Sequence, residues 1–598
     1  MSTLPKRNEV PVALTWDLTT IYANEADWEK DFAFVESQIP VLAAYKGRLR
    51  RSGRTLLAFN KLSESVAQIV GKLHTYAHLH ADSDTAVSHY QSMNSRVGNL
   101  GNQMGTATSW VTPELLTIKP ERLEAFIAKN PGLELYRRDF AEITRERAHY
   151  RSPEVEELLS QASQLHGGPS AVFGMFNNAD LKMPEVADET GALVRITNGN
   201  WGSKWLINPD RETRKRAYEA VFDTWMGWRN TIAANYAARV KSDIFKAKAR
   251  NYPSCRNMAL DSIDVPEDVY DSLITTIHSN LDRVHRYLKV RQKMMGVDQL
   301  AWYDMYVPLV GELKYEISYE DAQAKILAAV APLGEDYVNT LRDGFNSRWV
   351  DVVENEGKRS GAYSSGSYGT APYMLMNWHD TMESMFTLAH EAGHSMHSWH
   401  SRTHQPYTYS SYTLFVAEVA STLNEALLAH YLLEETDDKN MKRYVLNKQL
   451  ESIRSTLVRQ GMFAEFESIA HATAEAGKPL TPDVLCGIHK GLNEKYYGAV
   501  VTIDDRIGIE WARIPHFYNS FYVYQYCTGI AAALTLARKI INEGKPAVER
   551  YLKFLSSGGS MSSIELLRAA GVDMTTNDAV QGAFDSFNDY LAEFEKLS

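Results

Sequence analysis

The chain has 598 residues, 44% apolar and 23% charged, with 63 Lys and Arg against 74 Asp and Glu for a net charge of −11. These proportions match ordinary globular proteins and exclude a disordered or fibrous chain; the length exceeds what one hydrophobic core serves, so at least two lobes are expected. Basic residues are scattered without a stripe or arm, which argues against nucleic acid as a partner, and no run of 18 apolar residues offers a membrane span.

From the N-terminus, "MSTLPKRNEVPVALTWDLTT" carries no apolar stretch of the kind that directs secretion. The three cysteines, Cys255, Cys486 and Cys527, are odd in number and far apart. That fits a reducing compartment without a thiolate metal cluster, and predicts a cytoplasmic location. Ser63 to Ala81 reads as helix; its His74, His78 and His80 have no acidic or thiol partner interleaved with them and are read as satisfied or surface histidines.

Further along, "DLKMPEV" and "ALVRIT" flank the turn "ADETG" as a hairpin, taken as the join between an N-terminal helical lobe over 1–205 and a catalytic lobe over 206–598. Asn208-Pro209-Asp210 starts a helix, and the apolar spacing predicts continuous helices over 266–296 and 318–341. Lys358 to Tyr373 is rich in Gly, Ser and Tyr, which suits either an exposed connection or close backbone approach by a ligand. Tyr373 to Trp378, "YMLMNW", reads as a short buried strand.

The stretch "FTLAHEAGHSMHSWH", Phe386 to His400, packs four histidines and one glutamate into fifteen residues. His390-Glu391-Ala392-Gly393-His394 is an H-E-x-x-H pattern: on a helix, a four-residue spacing sets two imidazoles on one face about 5–6 Å apart at Cβ, so both can reach one Zn²⁺. Glu391 then meets the water at the metal. A helix from Asp380, with Glu383 completing a capping box, is predicted to carry the motif. His400 is tempting as a third ligand at an offset of ten. That geometry needs a helix-breaking Gly at position seven, which here is His397, and on a continuing helix His400 lies about 15 Å from His390 along the axis. His397 is read as a supporting or substrate-facing residue.

A carboxylate from another helix is the remaining route to a third ligand. Tyr412 to Glu435 is strongly apolar, with Glu418 inside it and small neighbours Ala417, Ala420 and Ser421 that permit a second helix to approach; Glu425 competes with it.

The motif, together with "GSYGTAPYMLMNWHDT" before it, "FVAEVASTLNE" after it and the distant "IEWARIPHFYNSFYVYQY", resembles the oligoendopeptidase F family of the thimet oligopeptidase superfamily, from "LTWDLTTIYAN" near the N-terminus to the last helices. The resemblance implies a mainly α, two-lobed body with a deep substrate channel and small β elements beside the metal. It implies one Zn²⁺ on His390, His394 and Glu418, Glu391 as general base, and cleavage of internal bonds in short peptides. It also implies that Arg513 to Tyr526 supplies transition-state contacts. His516, Tyr518 and Tyr522 fit the family spacing; the third tyrosine position falls on Gln525 unless a one-residue gap moves it to Tyr524, and for Tyr524 and Tyr526 core packing competes equally. Within the Gly/Ser/Tyr stretch, Gly366, Tyr368 and Gly369 are expected to meet the peptide backbone as an edge strand or loop. The rival readings are an H-E-x-x-H carboxypeptidase or dipeptidyl carboxypeptidase, and a non-catalytic helical protein with structural zinc. Oligomeric state is not legible.

Overall fold

A computed structural model describes residues 4–311 and 315–597. It is mainly helical with three small sheets, and no helix among the described residues is long and apolar enough to cross a membrane. The chain divides into two compact units, each assembled from three separate segments: Met1–Tyr150, Lys314–Tyr431 and Lys539–Gly571 in the first; Arg151–Leu313, Leu432–Arg538 and Val572–Ser598 in the second. This departs from the expected division into consecutive blocks at residue 205. The hairpin proposed as the join, β1 (Glu185–Ala187) against β2 (Leu193–Arg195), lies wholly within the second unit, as does the parallel pair β3 (Leu300–Ala301) and β7 (Val501–Thr502).

In the first unit, helices Glu25–Ala43, Gly53–Ser83 and Ser88–Thr108 share a core of Trp28, Val35, Leu42, Leu56, Val66, Leu73, Val97 and Leu100. The Trp28 indole N–H donates to the Leu73 carbonyl at 3.0 Å, so the largest side chain of that core is also satisfied. The histidines of the second of these helices are occupied locally: His80 stacks on Tyr90 at 4.5 Å, and His78 lies 3.4 Å from Asp82.

A three-stranded sheet follows, in the order β4 (Val350–Val353), β6 (Tyr373–Trp378), β5 (Tyr363–Ser365), with β4 parallel and β5 antiparallel to the central strand. Tyr373, Met374, Leu375 and Met376 are each at most 1% exposed, which explains the unbroken apolar run of β6. Tyr373 and Leu375, two apart and therefore on one face, join the core of the N-terminal helices. Arg7 grips the Asp351 carboxylate of β4 in a two-pronged ion pair, and Lys358 Nζ reaches the same group at 2.7 Å. With both partners in place that fully buried acid is held below the usual carboxylate range, against the opposing effect of burial.

The predicted helix over 318–341 is two helices, Tyr319–Ala329 and Glu335–Asn346. Pro332 stands between them, where a helix interior would lose a hydrogen bond and clash, and Gly334 turns the chain at φ +100°. In the second unit, residues 266–296 likewise form two helices, Glu267–Ser279 and Leu281–Met295, broken at Asn280, whose side-chain amide turns back to the Thr276 carbonyl at 2.9 Å. Helix Arg211–Gly227 does begin at the expected signal: the Asp210 carboxylate accepts from the Thr213 N–H at 2.8 Å and hydroxyl at 2.6 Å.

Candidate metal and catalytic centre

The metal motif sits on helix Met382–His404 of the first unit. Its cap is Thr381, whose hydroxyl accepts the Ser384 N–H at 3.1 Å, and not the Asp380/Glu383 box expected from the sequence. Asp380 adopts a left-handed φ of +53° and its carboxylate takes the Trp378 indole N–H at 2.7 Å, so it serves the turn out of β6 instead. The helix continues unbroken past His397, as the absence of glycine there requires.

A second helix, Leu414–Glu435, lies against the motif at Gly393. A Cβ on Gly393 would fall 2.5 Å from the Ala420 carbonyl oxygen and 2.6 Å from Ser421 Cα. Backbone meets backbone here, which only glycine permits. This close approach brings Glu418 to the two histidines: its Oε2 is 3.4 Å from His390 Nε2 and 3.6 Å from His394 Nε2, and one ligand atom from each of the three lies within 4.8 Å of the others. Among the described residues these three are the only such group of His, Cys, Asp or Glu.

Glu425, the competing carboxylate, holds the far side of His390. Its Oε1 is 2.7 Å from Nδ1, which leaves Nε2 to face Glu418. Glu391 is 6% exposed, with Oε2 buried and unbonded. Burial drives its carboxyl up to about 7, His390 opposes this, Glu418 adds to it, and the Ser364 backbone N–H of β5 lowers it. His394 is pushed down to about 4 by burial and by His390, toward the neutral imidazole that a metal ligand requires. For His390, burial is outweighed by the Glu425 bond and by the charges of Glu391 and Glu418, raising it to about 9. Three carboxylates around two histidines form a site short of positive charge. The donor set of two imidazoles and one carboxylate fits a divalent cation such as Zn²⁺ with a coordination position left open.

His397 takes no part in this group. It is 1% exposed, its ring stacked on Tyr412 at 3.6 Å and against Phe554 at 5.2 Å, so the expected substrate-facing role gives way to core packing. His400 stacks on Tyr337 at 5.9 Å, away from the ligand set.

Beside the motif helix, β5 is an edge strand of its sheet, and Ser364 Oγ pairs with Ser395 Oγ of the helix at 2.8 Å. Beyond it the Gly366 carbonyl accepts from Arg402 Nη2 at 2.9 Å; a Cβ at Gly366 would sit 2.6 Å from the Ala371 oxygen, so the turn is closed too tightly for a side chain. Gly369 turns at φ +78°, and Tyr368 lies edge-on to Tyr407 at 5.6 Å.

The aromatic segment belongs to the second unit, and there burial separates the residues that the sequence put forward. Tyr518 is 7% exposed, its ring stacked on Phe173 at 4.6 Å and its hydroxyl taking the Asn235 amide N–H at 3.1 Å. Tyr524 is fully buried against Tyr270. These two serve the core. His516, Tyr522 and Tyr526 instead form a partly exposed group: Tyr522 stacks parallel to His516 at 6.5 Å and meets Tyr526 edge-on at 5.4 Å, while the Tyr526 hydroxyl is 3.5 Å from His516 Nε2. For Tyr526 the sequence left a site contact and core packing equally open. The signal for it was the four-residue step from Tyr522, which becomes legible once a one-residue gap after His516 is allowed.

Comparison with known proteins completes this picture. The profile of peptidase family M3 matches residues 205–586, and that of oligopeptidase F matches 114–182. Oligopeptidase PepF of Bacillus subtilis is 46% identical over 594 residues, covering 99% of this chain and 88% of that protein; the plasmid oligoendopeptidase F of Lactococcus lactis subsp. cremoris is 40% identical, covering 99% and 98%. Among solved structures, one from Chlamydophila abortus superposes with a TM-score of 0.94 at 35% identity over 100% of both chains. The oligoendopeptidase-F structure from Enterococcus faecium gives 0.75 at 34% identity over 96% of this chain and 99% of that one. With the H-E-x-x-H helix, Glu418 and near full-length identity all in agreement, the chain belongs to peptidase family M3 as a metallo-endopeptidase of the oligoendopeptidase F kind.

Proposed function

We propose that the protein hydrolyses internal bonds of short peptides with one Zn²⁺ per chain, held by His390 Nε2, His394 Nε2 and Glu418 Oε2. The observation that carries this reading is the convergence of those three atoms beside a buried, unbonded oxygen of Glu391. When bound, the metal would supply Lewis acidity that lowers the pKa of a water and polarises the scissile carbonyl. Glu391 Oε2 takes the proton of the attacking water and delivers it to the leaving amine. Glu425 fixes the tautomer and tilt of His390 through Nδ1. His516 and Tyr522 are proposed as donors to the oxyanion, supported by their being the accessible groups of their segment; Tyr526 joins them in place of Tyr518.

Edge strand β5 with Gly366, Tyr368 and Gly369 is proposed to pair with the peptide main chain. Its support is the edge position and the Ser364 N–H beside Glu391, which together align a bound backbone with the base. The deep channel implied by the family resemblance is then the reason folded proteins are excluded. A cytoplasmic setting agrees with free thiols at Cys255, Cys486 and Cys527. The test is a quenched peptide blocked at both termini: internal cleavage that is abolished by chelation and restored by Zn²⁺ is expected. Cleavage only of peptides with a free C-terminus would overturn the reading.

A further inference from the structure

The residues behind the Arg513 to Tyr526 segment are acids that no step above uses. The Glu467 carboxyl is fully buried in the second unit and its Oε1 accepts the Phe521 backbone N–H at 2.7 Å. Phe521 stands at a φ of +58°, a left-handed conformation that a bulky side chain adopts only when its surroundings enforce it. One residue earlier, the Ser520 hydroxyl donates to Asp243 Oδ2 at 2.6 Å, and Arg239 Nε reaches the same oxygen at 3.0 Å and Ser520 Oγ at 3.3 Å. The Phe521 ring is wedged against His471 at 4.7 Å. Residues 520 and 521 are therefore each tied from below by one acid, and the next residue in the chain is Tyr522.

We infer that Glu467 is a positioning residue for peptide hydrolysis: its bond to the Phe521 N–H, seconded by the Asp243–Ser520 bond, locks the left-handed turn that presents the Tyr522 hydroxyl. The inference rests on the reading of Tyr522 as an oxyanion donor. A left-handed residue reverses the local direction of the chain, so relaxing Phe521 to an ordinary φ would swing the following side chain away from its present stack on His516. The chemistry of the two acids suits fixed anchoring. Burial and the nearby Asp243 charge raise the Glu467 carboxyl well above the usual carboxylate range, against the Phe521 N–H and Arg239, which favours its neutral form. Asp243 is kept ionised against its own burial by His471, Arg239 and Ser520. A neutral carboxyl is matched in shape and in acceptor by an amide, which makes Glu467→Gln the conservative exchange and Glu467→Leu the one that deletes the acceptor.

The experiment is a double-mutant cycle on the zinc-loaded, full-length enzyme with a blocked peptide, with zinc content and thermal melting recorded for every variant. Glu467→Leu is expected to lower kcat about 100-fold with KM and zinc content little changed, and Glu467→Gln to recover most of that loss. In a Tyr522→Phe background, itself lowered by about 100-fold or more, Glu467→Leu is expected to cost less than about threefold further, because the group it positions is already gone. An equal loss in both backgrounds, or full activity of Glu467→Leu, overturns the inference. Full activity of Tyr522→Phe overturns the donor assignment and the inference with it, so the two failures are told apart. If Glu467→Leu does not fold, Ser520→Ala enters the same cycle: a kcat loss that disappears in the Tyr522→Phe background supports the inference, and unchanged kcat overturns it.

Discussion

The helices of the first unit that carry His390, His394 and Glu418 and the aromatic segment of the second unit differ in how geometry follows from sequence. On helix Met382–His404, an offset of four is a fixed displacement, so His390 and His394 had to share a face. Over Arg513 to Tyr526 the chain leaves one 3-10 helix, passes through a second, a left-handed residue and the start of another helix, so equal offsets point in unequal directions. Tyr518 and Tyr522, four apart in both the sequence and the family pattern, end in opposite environments: one bonded to Asn235 in the core, the other beside His516. Spacing carries a functional assignment only where one regular element spans it.

The comparison is broken most directly at its strongest point. Glu391→Gln keeps the shape of the helix and the three ligands while removing the base, so it is expected to lower kcat by about 10²- to 10⁴-fold with zinc retained; robust cleavage of a quenched peptide by that variant would end the assignment. Next in size is Gly393→Ala. A methyl group in backbone contact with Ala420 and Ser421 must push Glu418 away from the histidines, costing about 1–3 kcal/mol of stability by overpacking, seen as a lowered melting temperature together with weaker zinc retention against a chelator.

Glu425→Gln probes orientation alone. Losing the carboxylate behind His390 Nδ1 is expected to weaken zinc binding by about 10- to 100-fold in chelator competition while leaving the fold intact. The smallest effect belongs to the irregular segment. Tyr518→Phe removes one of the two acceptors of the Asn235 amide, leaving the Pro169 carbonyl, and is expected to cost about 1 kcal/mol in denaturant unfolding, with kcat nearly unchanged. A large fall in kcat at Tyr518 would restore the reading by spacing and cancel the contrast.

Glu418 stood out as the acidic residue interrupting an apolar helix, and the small residues around it marked where another helix could approach; its side chain is 43% exposed, so helix contact and not burial cost is what the structure bears out. The glycine that makes the approach possible stood inside the motif itself, although its clash with Ala420 is visible only in three dimensions. Glu425 was noticed only as the competitor of Glu418, and its place behind His390 was not legible, because sequence separates a ligand from the residue behind a ligand only by which ring nitrogen it faces. The cap at Thr381 was missed because Asp380, the stronger capping residue by type, is taken by Trp378. The assembly of each unit from three segments was hidden altogether, since periodicity reports on neighbours within a helix and not on partners hundreds of residues away.

The Arg7–Asp351 pair sets a timetable for synthesis. Arg7 leaves the ribosome 344 positions before the carboxylate it grips, an interval of roughly tens of seconds at bacterial or eukaryotic elongation rates. The first unit also waits for Lys539–Gly571 to close its core. Through that interval the nascent chain therefore holds the N-terminal helices without the sheet they are to cover, and the first unit stays incomplete, and open to aggregation, until Lys539–Gly571 has been made.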